Sequence, residues 1–215
     1  METQNFTPAA PWIGNDYNAG FLGYDQDGII IPGSDFTPGK KVFLIHDSMY
    51  SVNSDTAEFS TIDLIKEYIA GNLQSLGLYR FQKAFSGGYY GRFYTDLFWN
   101  HLAHYHYFGI TSEIRIRDYP QNDEFQNRYE AIINTYKPDI VIVDGYKLVG
   151  HLMKYRDGDV DLIPSPVFST LHFYSFKIGD VEHIGIPHIS SRQYTIRDLN
   201  EIFQQIFNDN SSLIL

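Results

Sequence analysis

The sequence predicts an α/β fold built on a parallel sheet covered by helices on both faces. Three observations carry that prediction. Short apolar runs rich in Val and Ile alternate with segments of helical period, the pattern of strand–helix–strand units. The runs are apolar at successive positions, as strands buried on both faces must be. The 215 residues suit a single domain, and a chain of this size buries roughly 70% of its unfolded surface.

Residues 1–40 are punctuated by turn signals: Ile13-Gly14-Asn15-Asp16, Asp27-Gly28, Pro32-Gly33 and Pro38-Gly39. Only Gly28-Ile29-Ile30-Ile31 looks like a strand there, so this stretch is expected to be an arm wrapped on the domain. Lys41-Val42-Phe43-Leu44-Ile45 follows a Pro-Gly turn and reads as a buried strand opening into His46-Asp47-Ser48-Met49-Tyr50. Residues 61–76 fit a helix, with Ile62, Ile65, Ile69, Leu73 and Leu76 at helical spacing and Thr61 as a cap. Residues 81–94 are aromatic and glycine-rich around Ser86-Gly87-Gly88, and residues 102–108 are β-compatible. A helix is expected over 124–136. The strongest strand, Ile140-Val141-Ile142-Val143, ends at Asp144-Gly145 and is followed by a helix over 146–154. Residues 181–186 form another strand ending at Pro187-His188, and an amphipathic helix over about 195–207 closes the series.

Composition excludes several classes. With no cysteine there can be no disulfide, thiolate nucleophile or cysteine-ligated cluster. Sixteen basic residues against 26 acidic ones leave a net charge of −10. Phosphate neutralisation supplies most of a general nucleic-acid binder's affinity, so any such role must rest on a local basic patch. No apolar run reaches the ~18–20 residues that span a bilayer, so no membrane association is expected. The first twelve residues lack a basic and then apolar leader pattern, and the expected compartment is cytoplasmic.

In parallel sheets, ligands sit beyond the carboxyl ends of the strands. Three predicted strand ends carry polar groups: His46-Asp47-Ser48, Asp144-Gly145-Tyr146, and His188 with Ser190 and Ser191. Asp47 would polarise a water or stabilise a developing cation there; the plainer alternative is a turn aspartate. His188 would donate a hydrogen bond to a developing anion; the plainer alternative is a loop histidine. His101, His104 and His106 cluster within six residues, a spacing that can bind zinc or iron, although no acidic residue lies nearby as a further ligand. Arg115, Arg117, Arg192, Arg197, Lys40 and Lys41 are candidate phosphate contacts or ordinary surface charges.

Four stretches, in order, resemble the uracil-DNA glycosylase superfamily, and more closely its bacterial and phage uracil-DNA glycosylase-like branch. Val42-Phe43-Leu44-Ile45-His46-Asp47-Ser48-Met49-Tyr50 stands where that branch has an apolar strand ending in Gly-Glu-Ser-His-Tyr. Phe98-Trp99-Asn100-His101-Leu102-Ala103-His104-Tyr105-His106-Tyr107 resembles its Phe-Trp-Asn-Ser-Ile-Ala-Phe-Tyr-Asn-Tyr. Lys137 through Gly145 resembles its third strand, and Ile186-Pro187-His188-Ile189-Ser190-Ser191 stands at its His-Pro-Ser.

The resemblance implies a three-layer α/β/α sandwich with a short central parallel sheet. It implies an extra-helical base in a pocket and an N-glycosidic bond broken by water. Asp47 and His188 would be the catalytic pair. His46, Ser48, Tyr50, Asn100, His106, Ser190, Ser191 and Arg192 would contact the substrate, with Tyr50 or Phe59 stacking on the base. No metal or cofactor is expected. The implied partner is DNA with a flipped base; the alternative is an inactive relative that binds a protein partner or a nucleotide. The sequence departs from the pattern at His46 (glycine in the family), Ile189 (proline) and His106 (asparagine). Imidazole does not offer the paired donor and acceptor of an amide, so the implied base is uracil or a modified base.

Overall fold

A computed structural model describes residues 9–47, 49–50, 61–88, 92–111, 119, 123–164, 172–191 and 194–209. The arm contributes β1 (Trp12–Ile13), β2 (Phe21–Tyr24) and β3 (Ile30–Pro32). After it come β4 (Val42–His46), β5 (Met49–Tyr50), α1 (Thr61–Ala70), α2 (Leu76–Phe85) and α3 (Arg92–Asn100). The chain continues through β6 (Leu102–His106), β7 (Ile110–Thr111), α4 (Glu124–Tyr136), β8 (Ile140–Asp144) and α5 (Tyr146–Leu152). A 3-10 turn follows α5, and then β9 (Asp157–Pro164), β10 (His172–Ile178), β11 (Val181–Ile186) and α6 (Ile196–Asp209).

The main sheet is mixed rather than purely parallel. Its order is β1-β6-β4-β8-β11-β10-β9. The central β6, β4, β8 and β11 run parallel, while β1 pairs antiparallel on one edge, and on the other β10 pairs antiparallel with both β11 and β9. The antiparallel edge follows from a short reversal: only Gly179 and Asp180 separate β10 from β11, and two residues can join only antiparallel neighbours.

The central strands are buried along most of their length because both faces are covered. On one face Val42, Leu44, Ile140 and Ile142 pack with α1, α2, α3 and α6 residues such as Ile65, Phe81, Trp99 and Phe203. On the other, Phe43, Ile45, Val141 and Val143 pack with Tyr129 and Ile133 of α4 and Leu148 and Leu152 of α5. The arm is tied to this body: Trp12 Nε1 donates to Trp99 O at 2.9 Å and Tyr24 OH to Phe85 O at 2.7 Å.

Two helices differ from expectation: the one expected over 146–154 is α5 and ends at Leu152 in a 3-10 turn, and the one expected over 61–76 is interrupted. The helix expected over 61–76 stops at Ala70, because Gly71 takes a φ of 81°, a left-handed conformation that terminates helices. A second helix then starts at Leu76, with the Ser75 hydroxyl accepting from Leu78 N–H at 3.3 Å. The expected helix over 124–136 is α4 with the same bounds. Among the described residues, no helix is long and apolar enough to cross a membrane.

Candidate functional site

The strand period puts a row of polar side chains at the carboxyl end of the parallel core. His46 pairs in register with His106, and Asp144 with Ile186. His46, His104, His106 and Asp144 have the parity of Leu44, Leu102 and Ile142, so they share the face covered by α1, α2, α3 and α6. The β4–β6 ladder extends one step further: Tyr107 N–H donates to His46 O and Phe108 N–H to Asp47 O, both at 2.8 Å. This carries Asp47 out of the sheet in a defined direction.

Asp144 is the hub. Its side chain is fully buried, and Oδ1 accepts the Ile189 N–H at 2.6 Å. Oδ2 lies 2.7 Å from His46 Nδ1 and 3.9 Å from His188 Nδ1. At that distance bare lone pairs on Oδ2 and Nδ1 would repel, so the contact requires a proton between them. Burial pushes the Asp144 carboxyl up, but His46, His188 and the Ile189 N–H outweigh it and hold the group below the usual carboxylate range. The carboxylate is therefore an acceptor only, and the proton between it and His46 sits on Nδ1.

His188 follows β11 and is half exposed. Its Nδ1 accepts the Ser190 N–H at 3.2 Å and lies 2.8 Å from Ser190 Oγ. A backbone N–H can only donate, so neutral His188 carries its proton on Nε2. Gly145 stands beside it with a φ of 98°, and a side-chain carbon there would sit 3.5 Å from the His188 ring. Arg80 of α2 braces the same loop, donating to Ile189 O at 2.8 Å and to Tyr194 O.

The imidazoles of β4 and β6 form a cluster. The His104 ring lies 4.9 Å from His46 and 4.7 Å from His106, edge to face, and His46 stacks on His106 at 5.8 Å. Thr61 Oγ1 at the start of α1 is 3.0 Å from His106 Nδ1. Burial, reinforced by the neighbouring imidazoles, pushes His104 and His106 well below the ordinary histidine range, so both are neutral at neutral pH. Among the described residues, both nitrogens of His104 and Nε2 of His46 are buried without a hydrogen-bond partner.

Asp47 accepts from Tyr119 OH through Oδ2 at 3.1 Å. Burial first, and then the Asp47 charge, push the Tyr119 phenol far up, so it stays a donor. Lys147 Nζ sits 4.5 Å above the Tyr119 ring.

A cavity of about 380 Å³ is lined by His46, Asp47, His106, His188 and Ser190, with Ser75 from the α1–α2 connection on its wall. That volume falls in the range of small-molecule sites. A larger cavity, about 640 Å³, shares the Leu73, Gln74 and Ser75 wall but reaches Tyr68, Tyr79 and Thr95 and none of the strand-end groups.

Five of the expected site residues thus meet at one cavity: His46, Asp47, His106, His188 and Ser190. Ser191 lies outside its lining, with its N–H donating to His188 O at 2.8 Å. Asn100 does not join them. It ends α3 ahead of β6, at the opposite end of that strand from His106, where its carbonyl accepts the Asp16 N–H at 2.8 Å. His101 is also at that end, with Nδ1 2.8 Å from Leu97 O and its ring against Phe21. His101 therefore does not join His104 and His106 around a metal, and among the described residues no three His, Asp or Glu side chains are arranged to hold a metal ion. Lys40 and Lys41 precede β4 and so lie at its far end, and Arg197 pairs with Glu201 at 3.0 Å. Ser48, Phe59, Arg115, Arg117, Arg192 and the Tyr50 side chain lie outside the described residues.

Sequence reasoning gave Asp144 no catalytic or substrate-binding role, and it missed Thr61 and Tyr119 as side chains holding His106 and Asp47. The available signal was an acidic residue closing the most apolar strand in the chain, where packing alone calls for another aliphatic residue.

No protein-family model matches the chain, and no curated protein matches it in sequence. Fold and site together define an α/β protein with a carboxylate- and imidazole-lined cavity at the carboxyl end of its parallel strands.

Proposed function

We propose that this protein is a DNA glycosylase-like hydrolase that cleaves the N-glycosidic bond of uracil or a modified base in DNA. The three-layer α/β/α arrangement of the uracil-DNA glycosylase superfamily is part of the proposal, supported by the two core clusters on opposite faces of the sheet. One observation carries the reading: Asp47 and His188, distant in sequence, line the same cavity.

In this mechanism a base flipped out of the DNA enters the cavity. The bond between C1′ and the base nitrogen breaks, and its electron pair leaves with the base. His188 Nε2–H donates to the anion that develops there. Asp47, held by the Tyr119 hydroxyl, stabilises the cationic sugar and orients a water whose oxygen bonds to C1′. The proton lost by that water passes to Asp47 and then to solvent. His46 and His106 wall the base pocket, and Ser190 supports His188 from behind.

The test is base release from single- and double-stranded oligonucleotides carrying uracil or modified bases. Asp47→Ala and His188→Ala should each lower the rate by about 10²–10⁴, the usual contribution of such groups. No release by the wild type from any substrate, or full rate in both variants, overturns the proposal.

A second reading, a catalytically idle relative that binds a protein partner or a nucleotide, is favoured by charge. The net −10 and the remote Lys40 and Lys41 offer duplex DNA little attraction. A stoichiometric complex with a protein or nucleotide, together with inactivity on every oligonucleotide, would select it.

A further inference from the structure

Asp144 occupies a position that packing alone would give to an aliphatic residue. Ile140 and Ile142, on the same face of the same strand, are core residues. A carboxylate buried there is costly to desolvate unless its surroundings compensate. The compensation comes from two other strand ends: His46 at 2.7 Å from β4, and Ile189 N–H at 2.6 Å and His188 at 3.9 Å from beyond β11. A group this expensive that reaches two of the three imidazoles of the cavity does more than fill space.

Its two oxygens do different things. Oδ1 closes the loop after β11 onto the end of β8, and that loop carries His188. Oδ2 fixes the His46 proton on Nδ1. Ser190 N–H holds His188 in the other form, with the proton on Nε2. His46 and His188, two of the three imidazoles that line the cavity, thus stand in opposite tautomers, and one carboxylate touches the segments that bear both.

We infer that Asp144 is the positioning residue of this site, fixing the tautomer of His46 and the placement of His188 without itself contacting substrate. The inference rests on the glycosylase reading for the rate effect, and on geometry alone for the tautomer.

Asp144→Asn separates the two oxygens. The amide oxygen can still accept from Ile189 N–H, while the amide nitrogen replaces Oδ2 and presents a donor to His46 Nδ1. His46 must then move its proton to Nε2. The experiment records ring ¹⁵N shifts of His46 in labelled protein at pH 7.5, assigned by comparison with His46→Gln. It also measures single-turnover base release and binding of an abasic-site oligonucleotide. The expected results are a protonated Nδ1 in the wild type and a protonated Nε2 in Asp144→Asn. Release should fall by at least about tenfold, since a misplaced tautomer costs up to about 10⁴ in triad hydrolases, while abasic-site binding is retained.

A wild-type His46 with its proton on Nε2 overturns the inference without any variant, so a failure of Asp144→Asn to fold leaves it testable. An unchanged tautomer in a folded Asp144→Asn, or release at the wild-type rate, overturns it as well. If the wild type releases no base from any oligonucleotide, the glycosylase reading falls, and the tautomer measurement still decides the hold of Asp144 on His46.

Discussion

The two faces of the main sheet treat a buried histidine differently. His183 on β11 faces α4. Its Nδ1 lies 2.9 Å from Val181 O and must donate to it, so Nε2 accepts from Tyr129 OH at 2.6 Å. Its ring stacks on Phe176 at 5.3 Å. His104 on β6 faces the other way, and neither of its nitrogens has a partner among the described residues. Both side chains are fully buried, and burial lowers both titrations. His183 is a satisfied structural pair. His104 carries an unsatisfied desolvation penalty beside two imidazoles that line the cavity. A fold tolerates such a penalty where a site is built, and buried groups without partners are candidates for that reason.

The largest effect expected from this contrast is loss of stability in acid. Burial depresses His183 to about 4 from an ordinary 6.5. As pH falls below 6.5 the unfolded chain takes up the proton first, so the stability this group contributes is complete above 6.5 and is lost on the way to 4. A shift of that size is worth on the order of 3 kcal/mol. His104 and His106 act in the same direction. Asp144 adds a further loss at lower pH, as its protonation in the unfolded chain begins. Urea unfolding at pH 7.5, 5.5 and 4.5 checks this; a midpoint that does not move across that range contradicts it.

The next effect separates the two histidines. His183→Phe keeps the ring but leaves the Tyr129 hydroxyl buried without its acceptor, and a stranded donor costs about 1–3 kcal/mol. Adding Tyr129→Phe should recover part of that loss, because the double replacement leaves no orphan. His104→Phe should cost nothing or stabilise by up to about 1 kcal/mol, since it removes two unpaired nitrogens from a closed space. It should also flatten the acid dependence. Equal costs at the two positions would erase the distinction between structural and site histidine.

Much of this architecture was legible in the chain, and the gaps have physical causes. β4, β8 and β11 announce themselves as short apolar runs, and α4 by its 3.6-residue period, because burial on two faces or on one leaves a compositional imprint. β9 was not legible. It begins Asp157-Gly158-Asp159-Val160-Asp161 on the exposed edge of the sheet, where acidic side chains guard open backbone and look like a loop. Edge strands are chosen against pairing as much as for packing. The site was legible in part for a similar reason. Asp47, His106 and His188 stood out as polar groups at the ends of apolar runs. The His46–Asp144 contact did not, because strand period assigns a face and leaves open which strands are neighbours.

Asn100 shows how that ambiguity misleads, and it supplies the smallest expected effect. It sits in an aromatic stretch beside His101, and the resemblance implies a substrate contact there. Yet residues on one short strand divide between opposite ends of the sheet, and only the end reached at His106 opens on the cavity. At the amino end Asn100 works through its backbone: its carbonyl accepts Asp16 N–H, and a side-chain carbon on Gly14 would sit only 2.1 Å from that oxygen. Asn100→Ala preserves both features. Stability should change by no more than about 0.5 kcal/mol, the usual range for positions away from core and caps. Base release should match the wild type, whereas a substrate-contacting amide would lose rate on substitution. A rate loss in Asn100→Ala at unchanged stability would therefore move the site to the other end of the strand.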